Sequence, residues 1–350
     1  MTKNNNLLII TSALPYANGP LHFGHLLEHI QTDIWVRTNR AMNKNCIYIC
    51  ASDAHGTPIM LKAEEEGVSP EDLIEKVTEQ QKNSLVKFNI QHDNYYTTHS
   101  EENKYFSEHI FNSADKKGLI LRKKIKQLFD DTKGLFLADR YVQGECPKCG
   151  AENQYGDNCE ICGATYEATE LINPKSKMNP DAKIEIRPTQ HLFYRLDLFQ
   201  SLLEKHAEDR WPVWKNNVRA MTKQWLDMGL RPRAVTRDLE WGVPLPFDDD
   251  EFDGKCVYVW FEAVQGYLTC AQIWSEKIAF SHPNGSESWK NWWCVDEEGN
   301  APRHLYFLGK DNIPFHTVIW PALIMGLNMS INGLDSPRLP EAGDLHLEDN

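Results

Sequence analysis

The chain lacks any hydrophobic run long enough to cross a membrane, and its first residues lack a charged-then-apolar leader. A membrane-spanning helix needs roughly 20 consecutive apolar residues, so the sequence argues against a membrane protein and a secretory leader. Positive charge is also scarce, because 50 acidic residues face 37 lysines and arginines, for a formal net charge of −13. Any contact with nucleic acid must therefore be local.

The even number of cysteines expected of a disulfide-stapled secreted protein is absent as well, since the chain has nine. Four of the nine cysteines form one cluster, and the other five are scattered, three of them in apolar stretches. A reducing compartment explains this usage better than a disulfide framework, so we predict a cytoplasmic protein without a membrane partner. The 350 residues suffice for a large core and two domains.

The chain does contain a segment rich in turn-forming residues at 15–25, PYANGPLHFGH. The apolar run at 7–12 before it predicts a buried parallel strand. Apolar residues after it recur at helical spacing, which predicts a helix from about residue 22 to 42. Asn-Gly-Pro at 18–20 is typical of a turn, so the sequence predicts a strand, a turn and a helix in close succession.

His22 and His25 would share one face of the first turn of this helix. Free backbone N–H groups and the positive end of the helix dipole make that position suitable for a phosphate. Gly24 between them has no side chain and lets a planar ring lie against the backbone. The alternative is that the two histidines are ordinary core or capping residues.

Further apolar runs at 45–50, 95–98, 255–261 and 305–309 predict more strands, and helical patterns fill most of the intervals between them. This alternation predicts an α/β fold with a doubly wound, Rossmann-like parallel sheet.

Polar and aromatic residues follow several of these strands, at the sheet edge that faces the ligand crevice in such folds. Asp53 follows the second run directly, although an Asp there also suits a simple helix cap. Trp260, Tyr267 and His316 follow strand ends or lie in a first helical turn, which favours a pocket.

A pair of CxxC units interrupts the pattern, at Cys146, Cys149, Cys159 and Cys162. Two such units supply four thiolates, which satisfy tetrahedral zinc and leave no open coordination position. We therefore predict a structural zinc ion, with a redox or free-thiol role as the alternative.

The domain organisation follows from this interruption. We predict the first half of the catalytic domain at 1–116, an inserted connective domain with the zinc knuckle at 117–237, and the second half at 238–350. Residues 215–237 carry six basic residues and one acid. This segment is either a solvated helix face or a local phosphate contact.

Residues 22–25 resemble the histidine-glycine-histidine signature of class I aminoacyl-tRNA synthetases. ALPYANG at 13–19 and DAHGTP at 53–58 resemble the methionyl-tRNA synthetase family more specifically. The resemblance covers nearly the whole chain. It implies activation of methionine by ATP with Mg²⁺ to methionyl-adenylate, and transfer to the acceptor end of tRNA(Met).

The resemblance also implies roles for individual residues. It implies that His22 and His25 are catalytic. The ATP-binding residues that the resemblance implies are Pro15, Asn18, Gly19, His22, Gly24, His25, Gly309 and Asp311. Its methionine-binding residues are Ala13, Leu14, Tyr16, Asp53, Trp260, Ala263, Tyr267 and His316.

The chain departs from the family pattern in two respects. Glu262 and Val264 stand where many members have Asp and Pro. The family's Lys-Ser-Lys loop, which neutralises the departing pyrophosphate, does not follow the last strand, and the similar run at 175–177 lies in the insertion. We therefore expect the amino-terminal part of a longer enzyme, without the loop and the anticodon-binding domain, that binds methionine but activates it poorly.

Three alternatives remain at this point. Leucyl-, isoleucyl- and valyl-tRNA synthetases share the histidine signature but usually carry a large editing domain between the halves of the sheet. A nucleotidyltransferase with that signature would not need Trp260, Tyr267 and His316 together. A non-catalytic, zinc-containing RNA-binding or regulatory module is the third alternative, and filling of the amino-acid pocket would distinguish it.

Overall fold

The computed structural model describes residues 7–132, 134–137, 141–156, 159, 161–162, 164, 166–177, 179, 181–278 and 289–347. These residues divide into two compact units. The first takes in the chain up to Ile120, Tyr194–Arg233 and the chain from Tyr258 onward, and the second is Leu121–Phe193 with Ala234–Val257. The segment predicted as an insertion, 117–237, overlaps the second unit, whereas 194–233 group with the first.

The first unit alternates strands and helices. Its strands are β1 (Leu7–Ser12), β2 (Asn45–Ser52), β3 (Asn94–Thr97) and β13 (Arg303–Phe307). Its helices are α1 (Phe23–Ala41), α2 (Thr57–Glu66), α3 (Pro70–Lys87), α4 (Glu101–Lys116), α5 (Gln200–Arg210), α6 (Asn216–Asp227), α7 (Val259–Glu262), α8 (Gly266–Ile273), α9 (Trp289–Trp293) and α10 (Trp320–Ile331).

The four strands form one sheet in the order β13-β1-β2-β3, and every pairing described is parallel. The predicted α/β fold with a parallel sheet is thus confirmed. Strand β1 is buried along its whole length. Alternate residues Leu8 and Ile10 join a core with Val36 of α1 and Leu85 of α3, as the two-residue period of a strand requires.

The predicted strand at 255–261 is wrong for most of its length. Within this run only Cys256–Val257 forms a strand, β12, which pairs with β11 outside the parallel sheet. The residues after Tyr258 form the short helix α7 instead. An apolar run of this length is compatible with either structure, and here its long-range packing decides for the helix.

The predicted helix after the last strand begins irregularly. A 3₁₀ turn at Lys310–Asn312 and a π-helical turn at Phe315–Ile319 precede α10, which is buried along nearly all of its length. Among the described residues, no helix is both long and apolar enough to cross a membrane.

The second unit is built mainly of strands, two of them 11 residues long and the others much shorter. They are β4 (Ile120–Asp130), β5 (Leu135–Phe136), β6 (Val142–Glu145), β7 (Gln154–Tyr155), β8 (Ile172–Ser176), β9 (Ile184–Tyr194), β10 (Arg233–Ala234), β11 (Thr236–Arg237) and β12 (Cys256–Val257). They form sheets in the orders β10-β9-β4-β5, β7-β6-β8 and β11-β12. The four clustered cysteines lie beside β6 and β7.

Candidate functional site

The paired histidines form the amino-terminal cap of α1. His22 is the N-cap, and its Nδ1 accepts the backbone N–H of His25 at 3.3 Å. In return, Nδ1 of His25 accepts the N–H of His22 at 3.4 Å, and the two rings stack at 3.6 Å. Each ring thus satisfies a backbone donor that the helix leaves free, as in a capping box. Burial and the charge of His22 lower the pKa of His25, which favours the neutral ring whose Nδ1 accepts this hydrogen bond and whose Nε2 carries the proton.

Gly24 is required by this arrangement. A Cβ at position 24 would lie 2.9 Å from Cε1 and 3.1 Å from Nδ1 of His22. Contacts that short force the imidazole away, so a larger residue would disturb the stacked pair.

The loop after β1 is tied to the end of β2. The N–H of Ala17 donates to the carbonyl of Asp53 at 2.8 Å, and the N–H of Asp53 donates to the carbonyl of Pro15 at 2.9 Å. Gln81 of α3 donates to the carbonyl of Tyr16 at 2.8 Å and to that of Gly19 at 3.1 Å. The whole turn around Asn18 is therefore held at the carboxyl edge of the sheet.

Glu28 joins the ends of two neighbouring strands, and sequence reasoning did not identify it. Its Oε1 accepts the N–H of Ala13 after β1 at 2.8 Å. The backbone of Gly309 after β13 also donates to it. Burial raises the pKa of Glu28 to about 8, although the two hydrogen bonds act to lower it. An amphipathic helix pattern could not show that a glutamate facing the sheet would find two backbone donors.

Asp53 is the centre of a buried acidic cluster. Burial raises its pKa well above the ordinary value, and the neighbouring charge of Glu262 adds to the effect. Its Oδ1 has no hydrogen-bond partner among the described residues. An unpaired buried carboxylate oxygen is costly and marks a place for a cationic or donor group.

Glu262 is fully buried and bound on both oxygens. Its Oε1 lies 3.0 Å from Nδ1 of His55, and its Oε2 accepts from Asn103 at 2.7 Å. His55 continues the network through Nε2, which is 3.0 Å from Nδ1 of His99. These contacts join residues far apart in the sequence. For that reason the sequence identifies Asp53 as a site residue but does not predict the hydrogen bonds around Glu262.

Tyr16 lies beside this cluster. Burial raises its pKa, with further contributions from Asp53, Tyr258 and Glu262. Gly56 has a φ of 104°, and a Cβ on it would lie 3.4 Å from the Tyr16 hydroxyl. Glycine is favoured there both by the backbone and by the close approach of the ring.

Tyr267 and His316 form a buried pair on α8 and the π-helical turn. The Tyr267 hydroxyl is 2.9 Å from Nε2 of His316, and Nδ1 of His316 is 2.9 Å from the carbonyl of Asn312. A carbonyl only accepts, so Nδ1 carries the proton and Nε2 accepts from Tyr267. Burial lowers the pKa of His316 to about 4, and the ring is neutral at pH 7.

The remaining predicted pocket residues adjoin this pair. Trp260 stacks on Phe315 at 3.8 Å with the rings 19° apart. A Cβ on Gly266 would lie 3.0 Å from Cδ2 of Leu14, so this leucine packs directly on the start of α8. Ala263 is half-buried one turn before Tyr267. Leu14 and the α7–α8 segment are therefore brought together.

Gly309 and Asp311 lie at the end of β13, beside the end of β1. Both are exposed, and a Cβ on Gly309 would meet nothing within 4 Å. Since β1 and β13 are adjacent and parallel, these residues share the edge on which the α1 cap sits.

The four clustered cysteines of the second unit fit a tetrahedral metal ion. Their sulfur atoms all lie within 4.8 Å of one another, and the 146–162 and 149–159 pairs are 3.8 and 3.7 Å apart. Four thiolates at about 2.3 Å from zinc would be about 3.8 Å apart. Each CxxC unit also forms the same turn, with its first N–H donating to the carbonyl five residues on at 2.8 Å.

Comparison with known proteins bears on the identity of the chain. A family model described as tRNA synthetases class I (M) matches residues 8–337. The methionine–tRNA ligases of Psychrobacter sp. (strain PRwf-1) and Pelodictyon phaeoclathratiforme (strain DSM 5477 / BU-1) are 43% and 41% identical over 322 and 321 residues. Each alignment covers 91% of this chain, and 46% and 44% of the relatives. The chain thus spans about half the length of the curated relatives it matches.

Solved structures agree on the fold. Mycobacterium tuberculosis methionyl-tRNA synthetase in complex with methionyl-adenylate matches with a TM-score of 0.67 at 22% identity, over 96% of this chain and 56% of that one. A second structure of that enzyme, also bound by methionyl-adenylate, gives 0.65 at 20% identity, over 97% and 60%. With the family model matching residues 8–337, the chain belongs to the class I tRNA synthetases of the methionyl type.

Proposed function

We propose that this chain carries the methionine-activating site of a methionine–tRNA ligase, which forms methionyl-adenylate from methionine and ATP and transfers the methionyl group to the acceptor end of tRNA(Met). One observation supports this most directly. The unpartnered carboxylate oxygen of Asp53, the Tyr267–His316 pair and the capped start of α1 all belong to the first unit. Asp53 would supply an acceptor for a cationic amine, the Tyr267–His316 pair an uncharged lining for a thioether, and the start of α1 a binding place for a triphosphate.

Asp53 would bind the substrate ammonium. Its free Oδ1 is an acceptor that lacks a partner, and Glu262 beside it adds a second negative charge when both are ionised. A charge-assisted hydrogen bond to a buried carboxylate is stronger than a neutral one.

The aromatic residues would surround the thioether. A methionine sulfur makes favourable contacts with aromatic rings, which Trp260 and Tyr267 offer, and Leu14 would add an apolar surface. Ala13 and Ala263 would leave room for the side chain. Tyr16 and the neutral His316 would approach the sulfur with polar groups that carry no charge.

ATP would bind along the ends of β1 and β13. His22 and His25 would hydrogen-bond the phosphates, with Pro15, Asn18 and Gly19 shaping the turn beneath them. Gly24 would lie under adenine, while Gly309 and Asp311 would hold the nucleoside, Asp311 through the ribose hydroxyls.

The chemistry needs no protein nucleophile. A carboxylate oxygen of methionine attacks the α-phosphorus, the bond to the bridging oxygen breaks, and pyrophosphate leaves with its electron pair. The chain's contribution is to orient the two substrates and to stabilise charge on the phosphates, and Mg²⁺ would accompany ATP. No Lys-Ser-Lys run follows β13 in the sequence, so we propose that this chain alone binds methionine but activates it poorly.

Zinc would be held by Cys146, Cys149, Cys159 and Cys162, and its role would be structural because four thiolates complete its coordination. The sulfur separations of 3.7 and 3.8 Å support this assignment. Backbone N–H groups also point at two of the sulfurs, from Lys148 to Cys146 at 3.3 Å and from Cys162 to Cys159 at 3.4 Å.

Calorimetric titration tests the proposal. We expect the chain to bind methionine and to ignore leucine, isoleucine and valine, and Asp53→Asn to weaken methionine binding about 10- to 100-fold. Asp131→Asn, in the second unit, is the control and should bind as the unchanged chain does. Preferential binding of a branched amino acid would overturn the proposal. So would the absence of detectable binding of all four amino acids, with and without ATP, by a folded sample.

A further inference from the structure

A second candidate metal site lies in the core of the first unit. His29 of α1, Cys50 of β2 and His92 before β3 place one ligand atom each within 4.8 Å of one another. None of the three belongs to the proposed substrate site. Among the described residues, Nε2 of His29 and Nε2 of His92 are both buried without a hydrogen-bond partner.

A chain of hydroxyl groups fixes the proton on His29. Thr32 Oγ1 donates to the carbonyl of Glu28, and Ser12 Oγ donates to Thr32 Oγ1. The Tyr48 hydroxyl, 2.7 Å from Ser12 Oγ, must then donate to it, because each hydroxyl has one proton. Nδ1 of His29, 3.1 Å from the Tyr48 oxygen, is left to donate.

The bare lone pair of His29 is consequently on Nε2. This is the usual arrangement of a metal-binding histidine, in which the other ring nitrogen is held by a second group that orients the ring. The ring of His92 lies 4.1 Å from that of Tyr48, tilted by 36°, and meets His29 edge-on at 5.5 Å. One tyrosine thus contacts both imidazoles.

Cys50 completes the set. It is a free, buried thiol whose contacts are long, at 3.6 Å to the carbonyl of Ser12, 3.7 Å to that of Ala51 and 3.9 Å to that of Ala13. A metal with ligands at 2.0–2.3 Å needs ligand atoms about 3.5–4 Å apart. Small rotations of the three side chains would bring them to that separation.

We propose that His29, Cys50 and His92 bind one monovalent copper ion in a three-coordinate site. Copper(I) is among the ions that soft thiolate ligands select, and imidazole also suits copper. With one thiolate and two neutral imidazoles the site has no net charge, which matters because an uncompensated charge is costly in a buried place. Binding converts the Cys50 thiol and Cu⁺ to a Cu–S bond and one released proton.

Anaerobic competition between the zinc-loaded chain and a chromophoric copper(I) chelator tests this proposal, which does not depend on the proposed function. We expect one copper per chain with zinc retained. Cys50→Ala should lower the copper affinity more than about 100-fold, and His92→Gln, at a half-buried residue, at least about tenfold. Tyr48→Phe should cost about 10- to 100-fold, since it removes the group that orients His29.

Cys46→Ala is the matched control, because Cys46 is also a buried thiol of β2 but lies outside the trio. It should bind copper as the unchanged chain does, and unfolding curves will show whether both cysteine variants fold. X-ray absorption should give one sulfur and two nitrogen neighbours. Three results would each overturn the proposal. They are displacement of zinc together with equal copper uptake by Cys50→Ala, coordination of the copper by sulfur alone, and no copper uptake by the unchanged chain.

Discussion

The Tyr267 hydroxyl donates to Nε2 of His316 across 2.9 Å, although the two residues are 49 positions apart. The carbonyl of Asn312 holds the proton of His316 on Nδ1 and burial keeps the ring neutral, so Nε2 accepts from Tyr267 and no imidazolium faces the proposed pocket. A neutral lining suits an uncharged thioether.

Removing this hydroxyl should weaken methionine binding. Tyr267→Phe leaves Nε2 of His316 without its donor, which costs about 1–3 kcal/mol unless the ring turns away, and methionine binding must then return the ring to the pocket lining at that cost. We therefore expect a 5- to 100-fold loss of methionine affinity by calorimetry. Tyr105→Phe, on the exposed face of α4, is the control. Equal methionine affinities in the two variants would show that Tyr267 does not line the methionine pocket.

Methionine binding should increase with pH. The raised pKa of Asp53 means that its carboxyl group is protonated at low pH and accepts the substrate ammonium only after it ionises. Glu262→Gln removes the neighbouring charge, lowers the pKa of Asp53, and should move the binding profile to lower pH. Calorimetry over a pH series measures both profiles, and a profile that Glu262→Gln leaves in place would contradict the coupling.

Glu28 should make the chain less stable in alkali. Its pKa is about 8 in the folded chain and 4.5 ordinarily, so between these values the folded state holds a proton that the unfolded state has lost. The free energy of unfolding therefore falls as pH rises through this window. Glu28→Gln stays uncharged and keeps an acceptor for Ala13.

The measurement is thermal unfolding at pH 5 to 9. The melting temperature of Glu28→Gln should decline less with pH than that of the unchanged chain, and the two should be similar near pH 5. Glu65→Gln, at an exposed position on α2, supplies the reference. Parallel declines for all three chains would show that Glu28 is ionised in the folded state.

Gly24→Ala should disturb the paired histidines. The added methyl group would meet Cε1 of His22 at 2.9 Å, so the ring must leave the stack and α1 loses part of its cap. We expect ATP affinity to fall about tenfold and stability to fall by about 1 kcal/mol. Gly309→Ala has open space and should leave stability unchanged. Normal ATP binding by Gly24→Ala would exclude the cap from the nucleotide site.

Zinc removal should act locally. The four cysteines belong to the second unit, and the proposed methionine site belongs to the first. Chelation should speed hydrogen exchange around residues 141–170 while methionine affinity changes less than about threefold. A loss of the whole fold on chelation would contradict a separate structural zinc site.

The sequence by itself determined the local elements. Strand β1, the turn at 18–20 and helix α1 follow from apolar spacing and turn residues that act over a few positions. The two CxxC units predicted the cysteine cluster directly, because the cysteines of each unit are only three positions apart.

Tertiary structure decided what joins distant segments. The pairing of Glu262 with His55 spans 207 positions, and no local pattern shows that α7 would return to the end of β2. The run at 255–261 was predicted as a strand because it is apolar, but its residues after Tyr258 form the helix α7. The trio of His29, Cys50 and His92 likewise exists only because α1 packs across β2, and neither spacing nor composition shows such a contact.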